Sequence, residues 1–279
     1  MISILRIEMR RSLLVRLSPF AAAALVALMV NDIHTWRGIW PEGSAHISAP
    51  LLFIGPLMGG ISAWEVRRRH LAGSARGARS GTAPWITPLL IAHLLSGAAV
   101  VAVGALCAII VNLASAAPAG FLWPSYVLVS LACLTECIAV GFLLGRLGGP
   151  AWFAPVITAM LLFLRLVITL PGSGDAMRFH FTRLFLSGRA SVTLSPIGVA
   201  LAVLEAGLVV VLARSVPDLI AHMRATRART AYPWSRTRRR TVVVGGLSCV
   251  VAGALVLMSP QLTQERRPPK EPVCTSTEF

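Results

Sequence analysis

Seven apolar stretches long enough to cross a membrane restrict this chain to one class of fold. A helix needs about 20 mainly apolar residues to cross about 30 Å of hydrocarbon. A soluble domain would not need so many long apolar runs, because its helices keep a polar face. The sequence therefore predicts an all-α polytopic membrane protein with about seven transmembrane helices. The predicted spans are 13–31, 49–65, 86–112, 121–145, 151–170, 194–213 and 241–259.

The positions of the basic residues predict the orientation of these helices. Of the 26 basic residues, 25 are arginines, and most lie beside the predicted spans. With the N-terminus in the cytoplasm, 18 of them fall on the inner side and seven on the outer side, as the positive-inside rule requires. Contact with anionic lipid headgroups then explains the net charge of +15 without nucleic acid. We predict a plasma-membrane protein with a cytoplasmic N-terminus and an extracytoplasmic C-terminus.

The same pattern divides the chain into four parts. A six-helix transmembrane domain occupies 1–214, a cytoplasmic Arg-rich segment 215–240, a seventh helix 241–259 and a disordered extracytoplasmic tail 260–279. At the N-terminus, residues 2–14 have apolar side chains at helical spacing and arginines on another face. This spacing predicts either an amphipathic helix on the inner membrane surface or an irregular start of the first span.

Three ionisable residues lie inside predicted spans, namely Glu136, Arg165 and Glu205. A charge at the centre of a membrane helix costs roughly 2.5–3.5 kcal/mol, so each needs a partner, water or a proton. Arg165 can pair with Glu136, because the spans that carry them are consecutive, and Glu205 can share that arginine. Two interpretations follow: buried pairs or a protonated carboxyl group that fix the helix packing, or a path for protons or substrate.

Small residues recur every fourth position on two of the spans. This spacing lets a neighbouring backbone approach closely, and packing within one subunit is favoured over dimerisation. The fourth span carries Cys133, Cys137, Gly141 and Gly145, and the second carries Gly55 and Gly59.

Motifs of enzymes and metal sites are missing from the sequence. It has no glycine-rich loop ending in Gly-Lys, no His-Glu-x-x-His and no Gly-x-Ser-x-Gly. Cys133 and Cys137 have the spacing of metal ligands, but beyond Glu136 no histidine or carboxylate completes a site. His93 is expected to be a packed or interfacial residue. We therefore predict no catalytic residues, no metal and no bound cofactor.

The loop after the second span resembles a known family. It contains Glu65-Val66-Arg67-Arg68-Arg69 and then Gly81-Thr82-Ala83-Pro84-Trp85, which leads into the third span. These segments resemble the inner loop of type-2 ATP-binding-cassette exporter permeases. The layout over about residues 1–214 is similar as well: an N-terminal surface helix, a long inner loop after the second helix and a tight inner turn after the fourth. The sequence departs from the family in its arginine-rich loop and in its seventh span.

The resemblance implies a set of functional residues and partners. The segment from Glu65 to Arg79 would dock on a separate ATPase subunit, which would bind the ATP, and two permeases would form a homo- or heterodimer. The stretch 171–193, which by itself predicts a short interfacial or re-entrant helix, would be the outer gate. The predicted coupling residues are Glu65, Arg67, Arg68, Arg69, Arg76 and Arg79, and those of the outer gate are Phe179, Phe181, Arg183 and Phe185.

Three functions agree with these patterns. The first is the membrane-spanning permease subunit of an ATP-driven exporter. The second is a proton-coupled carrier that uses the carboxylates inside the spans. The third is a polytopic membrane protein that transports nothing, or a membrane-embedded enzyme.

Overall fold

The computed structural model shows an all-helical protein throughout the part of the chain that it describes. Three of its helices, Leu13–Asn31, Ile86–Leu113 and Pro124–Leu147, are long and apolar enough to cross a membrane, which indicates a membrane-embedded protein. The residues described are 2–48, 50–75, 85–115, 118, 120–147, 152–168 and 196–227.

Within these ranges the helices follow one another with short connections. Two of them, α3 and α4, are short, and the others are long or moderately long. In chain order they are α1 (Ile2–Arg11), α2 (Leu13–Asn31), α3 (Ile33–Trp36), α4 (Trp40–His46), α5 (Leu51–Ala75), α6 (Ile86–Leu113), α7 (Pro124–Leu147), α8 (Phe153–Ile168) and α9 (Pro196–Arg227).

The predicted spans agree best with α2, α6 and α7. Two other helices run further than expected: α5 continues to Ala75 instead of ending at 65, and α9 continues to Arg227 instead of ending at 213. Arg214 and the residues after it therefore continue the helix that contains the predicted sixth span. The predicted seventh span 241–259 and the tail 260–279 lie outside the described residues.

The N-terminal residues form a helix separate from the first span. Ser12 lies between α1 and α2 with an extended backbone, and its side chain accepts a hydrogen bond from the Val15 amide, so it caps the start of α2. Ile4 and Ile7 of α1 are exposed, whereas Glu8 is buried. These residues therefore form a helix of their own and not an irregular start of the first span, while its position on the inner membrane surface stays a prediction.

Contacts between the helices define two ends of the bundle. The side chains of Ser12 and Glu65, of Thr87 and Arg214, and of Arg146 and Asp218 meet at one end. We call it the basic end, because Arg69, Arg146 and Arg214 all lie there. At the opposite end, the indole nitrogen of Trp36 donates to the Met29 carbonyl, and Ser44 accepts from the Trp123 amide. Accordingly α2 and α6 run in one direction, and α5, α7 and α9 run in the other.

Helices α5 and α7 pack against each other through the small residues that the sequence predicted. A Cβ atom added to Gly141 would overlap the Gly59 carbonyl group, and one on Gly145 would lie 2.6 Å from the Ala63 oxygen. One turn before Gly59 in α5, a Cβ on Gly55 would lie 3.0 Å from the Cys137 sulfur. The prediction of close packing within one subunit is confirmed.

Candidate functional site

A buried carboxylate on α5 is the centre of a polar cluster at the basic end. Only 1% of Glu65 is exposed. Its Oε2 accepts from the Ser12 hydroxyl at 2.9 Å and from the Leu14 amide at 3.2 Å. Its Oε1 accepts from Arg69 Nη2 at 2.6 Å, and His93 Nε2 lies 3.2 Å from Oε2. Because an ionised carboxylate is a pure acceptor, this set of donors matches a charged Glu65.

Arg69 connects this carboxylate to the N-terminal helix. While Nη2 donates to Glu65, Nη1 donates to Glu8 of α1, so one guanidinium group bridges two carboxylates. The planar fork of an arginine suits such a bridge better than the single ammonium group of a lysine. Glu8 and Arg69 are mostly shielded, with 10% and 20% of their side chains exposed. As a result, α1 is held to the end of α5 by charge.

His93 extends the cluster to two further helices. His93 belongs to α6 and its ring is fully buried. Its Nδ1 lies 3.0 Å from the Ser62 hydroxyl. Ser62 in turn lies 3.3 Å from the Ile138 carbonyl of α7, and the His93 ring meets Phe142 edge-on at 6.0 Å. We call this cluster the Glu65 network; its members are Glu8, Ser12, Ser62, Glu65, Arg69 and His93. It joins α1, α2, α5 and α6 and reaches the backbone of α7.

The predicted coupling residues divide into two groups on α5. Glu65 and Arg69 point into the Glu65 network, and Val66 is fully buried beside them. Arg68 is exposed and Arg67 is half-buried. The resemblance implies that the whole segment docks on an ATPase, but the helical repeat turns only some of its side chains outward. Arg76 and Arg79 lie outside the described residues.

Two of the three ionisable residues predicted inside the spans are described with their side chains. Glu136 of α7 is buried and Glu205 of α9 is half-buried. Around them, α7 and α9 pack through Cys133, Cys137, Ala202 and Ala206. Arg165 belongs to α8, but its side chain lies outside the described part, as does the predicted outer gate with Phe179, Phe181, Arg183 and Phe185.

A second polar cluster at the basic end explains why α9 does not stop at Pro217. Proline has no amide hydrogen, so the Ala213 carbonyl four residues earlier loses its helical donor. Arg146 of α7 supplies one: its Nη1 lies 3.1 Å from the Ala213 oxygen and 2.8 Å from the Arg214 oxygen. Its Nη2 donates to Asp218 at 2.6 Å. The helix thus continues because a distant side chain replaces the missing donor.

No protein-family profile, curated protein or solved structure matches this chain. Among the described residues, no group of three or more histidine, cysteine, aspartate and glutamate side chains could hold a metal ion. The Glu65 network and the layout of the helices are therefore the grounds for a functional interpretation.

The role of Arg146 at Pro217 can be measured with a double-mutant cycle. Arg146→Gln should lower the free energy of unfolding by about 2–3 kcal/mol, because the Ala213 carbonyl loses its donor and Asp218 keeps only one of its two arginine partners, Arg214. In a Pro217→Ala background the same change should cost about 1 kcal/mol less, since the new amide can donate to Ala213. Denaturant unfolding in detergent micelles gives both values, and equal costs in the two backgrounds would contradict this role.

Several members of the Glu65 network have no recognisable signal in the sequence. Ser12 and Ser62 are isolated hydroxyl residues, and Glu8 is one carboxylate on a basic amphipathic helix. His93 is the exception, because a histidine in the third predicted span indicates a buried polar contact; its expected role as a packed residue is confirmed. A carboxylate at the last position of an apolar span, as Glu65 is in 49–65, is the other usable signal.

Proposed function

We propose that this protein is the membrane-spanning permease subunit of an ATP-driven exporter, with ATP bound and hydrolysed by a separate ATPase subunit. The observation that supports it most is the Glu65 network, which connects the C-terminal part of α5 to α1, α2 and α6. In this proposal the basic end faces the cytoplasm of a plasma-membrane protein, where the ATPase would bind.

The exposed residues of α5 are the proposed contact with the ATPase. Beyond Glu65 the helix continues to Ala75, and Arg68 and Leu71 are exposed on it, Leu71 with 40% of its surface. An arginine beside an exposed leucine offers both charge and apolar area to a partner. Glu65, one turn from Arg68, would position the helix without touching the ATPase.

Motion at this contact would reach the rest of the bundle through two rigid connections. The Glu65 network would move α1 and α6 together with α5. The close contact of Gly59 and Gly141 leaves no space between α5 and α7, so α7 would have to follow. Displacement of these helices against those of a second permease would then open and close a path between the two protomers.

The arrangement of helices supports the proposal as well. A separate N-terminal amphipathic helix precedes the first span, and only residues 148–152 separate α7 from α8. Both features are those expected from the resemblance to type-2 exporter permeases. The interior residues Glu136 and Glu205 would then lie beside the substrate path or fix the packing of α7 on α9.

Co-purification tests this proposal directly. The tagged protein, extracted from its native membrane in mild detergent, should recover an ATPase subunit and measurable ATP hydrolysis. Arg68→Glu should reduce the recovered ATPase by at least about tenfold, because reversing a charge in an interface costs several kcal/mol. Arg37→Glu is the matched control, since Arg37 is also exposed but lies at the opposite end.

The outcomes separate the proposed function from its alternatives. Recovery of the ATPase by the wild type and the Arg37→Glu variant, but not by Arg68→Glu, would support it. Transport driven by a pH gradient without any ATPase, and abolished by Glu136→Gln, would instead favour the proton-coupled carrier. Substrate distribution that does not change when the protein is deleted would contradict both kinds of transport.

A further inference from the structure

We propose that the outward face of α1 is a binding surface for anionic phospholipids, and that lipid bound there stabilises the packing of α1 on the bundle. The surface consists of Ile4, Arg6, Ile7, Arg10 and Arg11, which are all exposed. We call it the α1 surface. It is independent of any ATPase, so it goes beyond the exporter function proposed above.

The charge of the α1 surface is the first argument. Helix α1 contains one carboxylate, Glu8, and that carboxylate is buried and neutralised by Arg69. Its three arginines remain on the outside. Arg16 adds to them at the end of the helix, where its Nε and Nη2 both donate to the Arg10 carbonyl, at 3.1 and 3.0 Å. The α1 surface is therefore cationic without any acidic residue, and its complement is an anion.

The apolar residues of the α1 surface indicate that the anion it binds is a phospholipid. Ile4 and Ile7 have 40% and 48% of their surface exposed beside the arginines. A helix that exposes both apolar and basic side chains is stabilised at the boundary between lipid headgroups and acyl chains. A free phosphate ion would leave both isoleucines in water, whereas a phospholipid covers them.

The position of α1 places this surface beside a membrane. Only Ser12 separates α1 from α2, which is long and apolar enough to cross a bilayer. Arginines that lie so close to a membrane span are attracted to anionic headgroups. A lipid therefore reaches the α1 surface without leaving the bilayer.

Binding at the α1 surface is connected to the interior through the inward face of the same helix. Glu8 binds Arg69, and Ser12 donates to Glu65 at 2.9 Å. Lipid that holds α1 against the membrane surface therefore favours the conformation in which these bonds are made. An agent that binds only the folded protein raises its apparent stability by RT ln(1 + c/Kd), where c is the agent's concentration, so the gain grows with the logarithm of that concentration.

The experiment uses the full-length protein in a neutral detergent, with phosphatidylglycerol, phosphatidylcholine or inorganic phosphate added. Native mass spectrometry counts the bound lipid, and thermal unfolding measures the stabilisation. Phosphatidylglycerol should bind and raise the unfolding temperature, while the other two should have little effect. The triple variant Arg6→Gln, Arg10→Gln, Arg11→Gln should bind phosphatidylglycerol roughly a hundredfold more weakly, since each arginine contributes about fivefold.

Matched controls distinguish the α1 surface from general attraction to charge. The single variants Arg6→Gln and Arg11→Gln should each lose about fivefold, and they are mild enough to fold if the triple variant does not. Arg37→Gln, at the opposite end of the bundle, and Arg68→Gln, on α5 and not on α1, change exposed arginines outside the α1 surface and should bind as the wild type does. The proposal is overturned if the α1 variants keep the wild-type affinity, if the controls lose as much, or if free phosphate stabilises equally well.

Discussion

Glu65→Ala should lower the free energy of unfolding by about 3–5 kcal/mol, the range expected when one member of a buried charge cluster is removed. The substitution leaves the Ser12 hydroxyl, the Leu14 amide and His93 without their common partner. Arg69 keeps only Glu8. Denaturant unfolding of the purified protein in detergent micelles measures the loss. Glu65→Gln keeps the shape of the side chain but not its charge, so it should cost less.

Two further variants test whether this loss comes from the network. Arg68→Ala, on the exposed side of the same helix turn, should change the stability by less than about 0.5 kcal/mol. The double variant Glu65→Ala, Arg69→Ala should lose at least about 1 kcal/mol less than the sum of its single variants, because the two residues share one interaction. If the double variant is simply additive, or if Glu65→Ala unfolds like the wild type, the Glu65 network does not hold α1 and α5 together.

The sequence predicts three helices well because their signal is local. Spans 13–31, 86–112 and 121–145 are long apolar runs, and α2, α6 and α7 occupy nearly the same residues. The four-residue spacing of Gly141 and Gly145 is also local, and it correctly indicates a close helix contact. Such features depend on neighbouring residues alone, so they can be seen without the fold.

Features that depend on distant residues were not predicted. The predicted second span ends at 65, because the charged residues Arg67–Arg69 follow it. Helix α5 nevertheless continues through them, because Arg69 is paired with Glu8 of another helix. The predicted sixth span ends at 213, yet α9 continues through Pro217, because Arg146 supplies the missing donor. In both cases the decisive partner lies about 60–70 positions away in the chain. No local pattern contains it.

The burial of Glu65 changes the role that the sequence assigns to it. The resemblance to exporter permeases places Glu65 in direct contact with an ATPase, but its carboxylate is 1% exposed and accepts hydrogen bonds from its own chain. Glu65 then acts in the exporter proposal as a positioning residue. Arg68, not Glu65, is the residue whose charge reversal should weaken the contact with the ATPase.

Gly141→Ala should lower the free energy of unfolding by about 3 kcal/mol, the upper part of the range for an overpacked core. The added methyl group would overlap the carbonyl group of Gly59, which belongs to the backbone of α5 and cannot rotate away. The two helices must therefore separate along their whole contact, including Ala63 and Gly145. The change is measured by denaturant unfolding in detergent micelles.

Gly207→Ala is the matched control for this prediction. Gly207 also lies within a long apolar helix, α9, but a Cβ atom there meets nothing within 4 Å. Because alanine is the better helix former by about 1 kcal/mol, this variant should be as stable as the wild type or slightly more stable. Equal losses in both variants would mean that any alanine in these helices is unfavourable. A loss at Gly141 alone would show that α5 and α7 depend on backbone contact, as required if motion of α5 is to displace α7.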